Sequence, residues 1–300
     1  MTPPAVLVRD VTLRDGLQDE APLPTETKLE IYEALVAAGI REVELTSFVR
    51  PDRVPALADA EAFVRATNGD EGMTRWGLVL NERGAERALA AGLHHLQFVF
   101  SVSEAHNLNN AGRTLPQSLD ALRAVRSAAG PEARLEVTLA TAFGCPFEGA
   151  VATADVLHYV DEVLDAGVDG LALADTIGTG GPSEVRAAVA AAVERAGTTP
   201  VGVHLHDTRG LALANALTAV DAGAVRVDAS LGGLGGCPFA PGASGNLPIE
   251  DLVHALAVEG IETGISLEPL IEASRLACQA TGRELGSHVG VAGPRFATRA

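Results

Sequence analysis

The stretch VGVHLHD, residues 201–207, carries two histidines two positions apart. On a β-strand that spacing points both imidazoles to one face, because side chains alternate with a period of two. Gly202 shares that face and leaves room, while Val201, Val203 and Leu205 point the other way. Two imidazoles side by side in a closed interior are awkward neighbours unless something shares their lone pairs. A metal ion does so, and His204 and His206 are read as ligands rather than as hydrogen-bonded core residues.

Imidazole suits zinc, but neither a third histidine nor a second cysteine is spaced to close a tetrahedral site. Asp15, in TLRDG, and Asn246, in GASGN, can join the pair if their strands neighbour the histidine strand. Two imidazoles, a carboxylate and an amide oxygen, with positions left for substrate oxygens, suit an octahedral ion. Mg2+ or Mn2+ is expected, with Co2+ and Fe2+ left open.

Other groups lie close by in the pattern. Arg14 beside Asp15 reads either as half of a surface ion pair or, above a metal, as the holder of a developing oxyanion. Glu44 in EVELTSF and Asp175 in LADTIG are acids at strand ends, where a pocket role and a capping or pairing role both stand open. His94, His95, His106, His158 and His288 read as surface or loop residues, His106 lying just after a strand. Residues 232–246, GGLGGCPFAPGASGN, surround Cys237 with six glycines and two prolines and end on Asn246. That composition makes neither a helix interior nor a central strand, so a long loop is expected.

The elements that must position these groups follow a repeated pattern of apolar strand, polar break, alanine-rich helix and Ala-Gly. The marks at Gly39, Gly92, Gly130, Gly167, Gly197 and Gly223 each end a helix and precede a β-rich run. Strands are expected at 5–13, 41–46, 75–80, 94–101, 134–140, 169–174, 200–206 and 225–230. Helices fill the gaps, with N-caps at Thr25, Asn81 and Ser183. The segment VATADVLHYVDEVLDAG shows the amphipathic spacing clearly. Eight strands alternating with helices predict an α/β fold, a (β/α)8 TIM barrel, over about 5–247. An open doubly wound sheet would carry a GxGxxG turn opening an early helix, and the chain has none. Extra C-terminal helices are expected over about 248–285, packed across the outside or bottom of the barrel, before a tail at 286–300. No linker composition divides the chain, so one catalytic domain is expected.

Composition narrows the function classes. A formal charge of −17 argues against nucleic acid, which needs a basic face. Lys28 is the only lysine, so an anionic ligand must be held by arginines, backbone amides, helix N-termini or a metal. Cys145, Cys237 and Cys278 are too few and too scattered for a disulfide framework. The N-terminus MTPPAVLVRD lacks a signal pattern, and no apolar run approaches the ~20 residues of a membrane span. A cytoplasmic location away from membranes is expected.

In order along the chain, TLRDGLQDE (12–20), EVELTSFV (42–49), GCPFEG (144–149), LADTIGTG (173–180), VHLHDTRGLALAN (203–215) and GLGGCPFAPGASGNLPIEDLV (233–253) resemble 3-hydroxy-3-methylglutaryl-CoA lyases. Those enzymes are metal-dependent lyases on a TIM barrel, and the resemblance covers about residues 6–285. It implies Asp15, His204, His206 and Asn246 as metal ligands and Arg14 as the arginine that binds substrate and stabilises the enolate. It also implies Cys237 as the catalytic cysteine, with Glu44 and Asp175 as supporting acids of the pocket. The implied reaction is retro-Claisen cleavage of 3-hydroxy-3-methylglutaryl-CoA to acetyl-CoA and acetoacetate, in a family whose usual setting is leucine degradation. Asp175 or a metal-linked group would take the hydroxyl proton.

The chain also departs from the family. It has Thr12 and Leu13 where Gly-Pro is usual, SVSEAHNLNNAGRT after strand four where a more lysine-containing sequence is usual, and Thr141 in place of a cysteine. The tail GSHVGVAGPRFATRA lacks the family's peroxisomal signal. Several of these positions lie near the expected acyl and CoA sites. Citramalyl-CoA or a longer 3-substituted 3-hydroxyglutaryl-CoA therefore stands as the alternative substrate. A condensing synthase and a non-catalytic acyl-CoA-binding barrel rank behind it, and a homodimer is compatible with the sequence.

Overall fold

The computed structural model describes residues 6–236 and 245–296. Eight parallel strands close a barrel in sequence order: β1 (Leu7–Asp10), β2 (Glu42–Ser47), β3 (Thr74–Val79), β4 (His95–Ser101), β5 (Arg134–Ala140), β6 (Gly170–Asp175), β7 (Val201–Leu205) and β8 (Arg226–Ala229). The closing pair, β1 with β8, runs in register from Leu7 opposite Arg226 to Asp10 opposite Ala229. Strands β2 to β7 fall within a residue or two of the expected positions.

Strand β1 is the exception, because it stops at Asp10 rather than Leu13. The Asp10 carboxylate takes the Thr12 amide at 3.0 Å and the Thr12 hydroxyl at 2.7 Å, which pulls the chain out of the ladder. Thr12–Gly16 then form a wide π-type turn, closed by the Gly16 amide on the Val11 carbonyl at 3.0 Å. Wide turns of this kind concentrate at functional sites.

Between strands run α1 (Thr25–Ala38), α2 (Ala60–Ala66), α3 (Glu82–Ala91), α4 (Glu104–Ala111), α5 (Leu115–Ala129), α6 (Thr153–Asp165), α7 (Pro182–Ala196) and α8 (Ala212–Asp221). The Ala-Gly marks terminate as expected. At Gly39, with φ +96°, an added Cβ would sit 2.7 Å from the Gly264 carbonyl, so only glycine fits. Of the three expected N-caps, Asn81 holds, its side chain accepting from the Gly84 amide at 2.8 Å. Thr25 is instead the first helical residue, its hydroxyl donating to Asp59 at 2.7 Å. Ser183 lies inside α7, because Pro182 already occupies the first helical position and Glu184 reaches back to the Gly181 amide.

The C-terminal helices are α9 (Ile249–Val258), α10 (Leu267–Thr281) and α11 (His288–Ala292). They do more than cover the outside of the barrel. α9 packs on α8 and α10 packs on α1, so together they close the helical ring after β8. Among the described residues, no helix is long and apolar enough to cross a membrane.

The outer layer is aliphatic, with Leu35, Val125, Val160, Val189 and Leu252 fully buried between helices and strands. The barrel interior is not. Arg9, Glu42, Glu136, Arg226 and Asp228 point inward and are buried, where branched aliphatic residues usually dominate. Gly202 does leave room, but Arg226 fills it. A Cβ at Gly202 would lie 2.9 Å from the Arg226 guanidinium carbon. Replacing Gly202 by alanine is therefore expected to lower stability by about 1–3 kcal/mol. Urea unfolding checks this, and a wild-type midpoint would contradict the packing described.

Candidate metal centre and its cavity

The mouth of the barrel opens into a cavity of about 1130 Å³ whose lining includes Arg14, Asp15, His204 and His206. The π-type turn after β1 presents Arg14 and Asp15 there, and β7 delivers His204 and, one step beyond its end, His206. Asn246 arrives from the far side of the glycine-rich segment. It is seated by backbone pairing, with the Asp207 amide on the Gly245 carbonyl at 2.9 Å and the Leu247 amide on the Leu205 carbonyl at 3.0 Å. Gly245, with φ +93°, passes so close to the other end of the segment that a Cβ would overlap the Gly233 carbonyl oxygen.

Asp15, His204 and His206 offer ligand atoms that all lie within 4.8 Å of one another, and all three are buried. Nε2 of His206 lies 3.6 Å and Nε2 of His204 3.8 Å from Asp15 Oδ2, and the two Nε2 atoms are 3.1 Å apart. This is a divalent-metal-binding site. The Asn246 amide donates to Asp15 Oδ2 at 2.7 Å and to the Leu234 carbonyl at 3.0 Å. Its Oδ1 is buried with no hydrogen-bond partner among the described residues. A cation uses such an oxygen, so the donor set fits a hard or borderline ion.

Charge is arranged around this point. Arg14 donates to Asp15 Oδ1 at 2.5 Å and pairs with Glu44 at 2.6 Å, so it is a buried clamp rather than a surface ion pair. Burial works against ionisation of Asp15, yet Arg14 and the two histidines hold its carboxyl well below the usual range. Burial likewise opposes charge on His204, but Asp228 and Asp15 raise its affinity for a proton. Burial raises Glu44 despite the neighbouring arginine.

Asp175 takes a different position. Its two oxygens accept the Thr179 and Gly180 amides at 2.9 Å each, which fixes the turn after β6, and burial raises its pKa. Its sequence neighbours Ala174 and Thr176 line the cavity, and its backbone carbonyl accepts the His206 amide at 3.2 Å. Thr141, with φ +59°, is a β-branched residue in the left-handed region, held by its amide on the Thr176 hydroxyl at 2.8 Å. His106 is no surface residue. It is buried, lines the cavity, meets Ser101 Oγ through Nδ1 at 2.5 Å, and burial lowers its pKa to about 4. Cys237 lies outside the described residues.

Several residues around the site were not singled out from the sequence. Arg226 and Asp228 stand two apart on β8 and share an inward face, the same spacing that marked His204 and His206. Asp10 and Glu250 brace the two segments that carry the site. Asp10 holds Thr12, whose hydroxyl accepts the Leu231 amide at 2.8 Å, and Glu250 accepts the Gly232 amide at 3.1 Å.

The chain matches the HMGL-like family over residues 5–277. It is 38% identical over 288 residues to hydroxymethylglutaryl-CoA lyase YngG of Bacillus subtilis, covering 95% of this chain and 96% of that protein. It is 39% identical over 304 residues to (R)-citramalyl-CoA lyase of Chloroflexus aurantiacus, covering 97% and 96%. Among solved structures, an HMG-CoA lyase from Acinetobacter baumannii, in complex with coenzyme A and 3-methylmalate, superposes with a TM-score of 0.94 at 37% identity, over 99% of this chain and 97% of that one.

Burial pushes the carboxyls of both Asp10 and Glu250 up to about 7. Unfolded, they would ionise near 4, so between these values the folded state holds more protons than the unfolded one. The stability they contribute is full below pH about 4 and is lost as pH rises to about 7. Urea midpoints measured from pH 4 to 8 should fall in the wild type and fall less in Asp10→Asn and Glu250→Gln. An unchanged slope in both variants would contradict the assignment.

Proposed function

The chain belongs to the HMG-CoA lyase family and is a carbon–carbon lyase, and from that premise we propose that it cleaves 3-hydroxy-3-methylglutaryl-CoA to acetyl-CoA and acetoacetate. The observation that carries this reading is the meeting of Asp15, His204 and His206 in a cavity roomy enough for an acyl thioester, with Arg14 clamped beside them. Asp15, His204, His206 and Asn246 would hold the cation, and Mg2+ or Mn2+ suits that donor set. A divalent ion bound there supplies Lewis-acid polarisation of the substrate's oxygens and eases loss of the hydroxyl proton.

In the retro-Claisen step the hydroxyl loses its proton and the bond between C2 and C3 breaks, its electrons passing into a thioester enolate. Arg14 stabilises the enolate oxygen. Glu44 and Asp15 fix its guanidinium from two sides, so the donors are already oriented when charge develops. Cys237 delivers the proton that turns the enolate carbon into the methyl of acetyl-CoA. Asp175 supports the site by fixing the turn after β6, since both its oxygens are engaged by backbone amides. Each Asp175 oxygen keeps a second lone pair, so the hydroxyl proton passes to Asp175 or to a group at the metal site.

The coenzyme A of the Acinetobacter enzyme supports an acyl-CoA substrate here. In a chain of net charge −17, Arg50, Arg53, Arg83, Arg87 and Arg113 all line one side of the cavity. That concentration suits the phosphates of CoA. The sole lysine, Lys28, is buried against Asp59 and takes no part.

Citramalyl-CoA is the second reading, favoured by the equal likeness to the Chloroflexus enzyme. Citramalyl-CoA lacks one methylene of the hydroxymethylglutaryl chain, a difference worth only about 1–3 kcal/mol in an apolar pocket.

Acetyl-CoA release from a panel of 3-hydroxyacyl-CoAs with Mg2+ or Mn2+ decides between the substrates. Fastest turnover is expected with 3-hydroxy-3-methylglutaryl-CoA, and activity on none would overturn the lyase reading. Cys237→Ala should lower kcat by about 10²- to 10⁴-fold. Wild-type activity there would remove the thiol from the mechanism. An Arg53→Ser/Arg83→Ser variant is expected to raise KM about 5- to 30-fold with kcat nearly unchanged. An unchanged KM would place the CoA phosphates elsewhere.

A further inference from the structure

A histidine ligand is committed to its metal by what holds its other ring nitrogen, and for His204 that nitrogen faces Asp228. Nδ1 lies 3.4 Å from Asp228 Oδ2, and Asp228 itself is buried at the centre of the barrel. Its Oδ1 is occupied by Arg226 Nε at 2.9 Å, while Oδ2 is buried with no hydrogen bond among the described residues and has His204 Nδ1 3.4 Å away. The carboxylate is therefore fixed at one end and faces His204 with the other.

What fixes it reaches across the barrel. Arg226 also pairs with Glu136, which accepts from Arg9 at 2.9 Å, and Arg9 Nε donates to Glu42 at 2.6 Å. Space for this chain of charges is cut into the strands. Gly202 makes way for the Arg226 guanidinium, and Gly170 for the Glu136 side chain, where a Cβ would lie 3.0 Å from Glu136. The three carboxylates and two guanidiniums alternate in sign, with a carboxylate at each end of the row, and the end that faces the metal site is Asp228. Five buried charges are a costly filling for a barrel that could have packed aliphatic side chains. An arrangement that aims a fixed carboxylate at a metal ligand gives that filling a use.

We propose that Asp228, held by Arg226, is the positioning residue of the metal centre: it accepts the Nδ1–H of His204, fixes that tautomer, and turns Nε2 toward Asp15 and His206. Carboxylate–histidine–metal pairs of this kind orient the ring and strengthen it as a ligand. The proposal rests on His204 being a metal ligand. It adds that the charged row in the barrel interior serves metal binding, in addition to filling the core.

Two measurements test it. In protein labelled with 15N-histidine and loaded with Mg2+, long-range proton–nitrogen correlation should find His204 protonated on Nδ1 and not on Nε2. Calorimetric titration should find Mn2+ bound about 10- to 100-fold more weakly by Asp228→Asn than by the wild type. The metal-free unfolding midpoint of the variant serves as the control for folding. A proton on Nε2 in the loaded wild type, or wild-type Mn2+ affinity in a folded Asp228→Asn protein, would overturn the proposal. If the variant does not fold, the tautomer of the wild type decides alone. If the wild type binds no Mn2+ and its His204 signals do not move with Mg2+, the ligand assignment itself fails, and the proposal falls with it.

Discussion

A carboxylate sealed from water needs positive charge close by, and Asp15 is such a group. Arg14 supplies part of it at 2.5 Å, and two imidazoles approach the other oxygen within 3.8 Å. The two imidazole Nε2 atoms lie 3.1 Å apart beside one carboxylate oxygen, an arrangement that a shared cation satisfies. Much of the geometry around the barrel mouth keeps this cluster in place. The wide turn after β1 lifts Arg14 and Asp15 above the strand ends, and the Gly245–Leu247 crossing brings Asn246 to the same point.

The same demand for compensated charge extends downward. Arg14 is shared with Glu44, His204 faces Asp228, and Asp228 leads through Arg226, Glu136 and Arg9 to Glu42. Removing one member leaves its neighbour as an unpaired buried charge, which costs far more than the pair contributes. The site and the barrel interior are thus one electrostatic unit, and the apolar layer between strands and helices supplies most of the hydrophobic burial around it.

Much of the fold was legible in the sequence, because six Ala-Gly helix ends and eight β-rich runs mark most boundaries locally. The end of β1 was not, since it depends on the Asp10 carboxylate recapturing Thr12, a contact that propensity does not register. At the site, His204 and His206 stood out because two imidazoles on one strand face are unusual. Arg226 and Asp228 have the same spacing on β8 but were not singled out, because two charges on a strand do not show which face they take until the barrel closes. Gly202 was correctly read as space, while its occupant came from the next strand, 24 residues on. Of the two roles open for Asp175 the structure shows the capping one, and His106 is the histidine that the sequence had placed at the surface or in a loop. The acid at the strand end turned to cap its own turn, and the histidine of α4 turned to the cavity.

The charges of this barrel are arranged to converge on one cation. Anomalous diffraction from crystals grown with Mn2+, recorded above and below the manganese edge, tests it most directly. A single strong peak is expected in contact with Asp15, both Nε2 atoms and Asn246 Oδ1, with Asp228 behind His204. A peak elsewhere in the cavity, or contact through Nδ1 of His204, would contradict it.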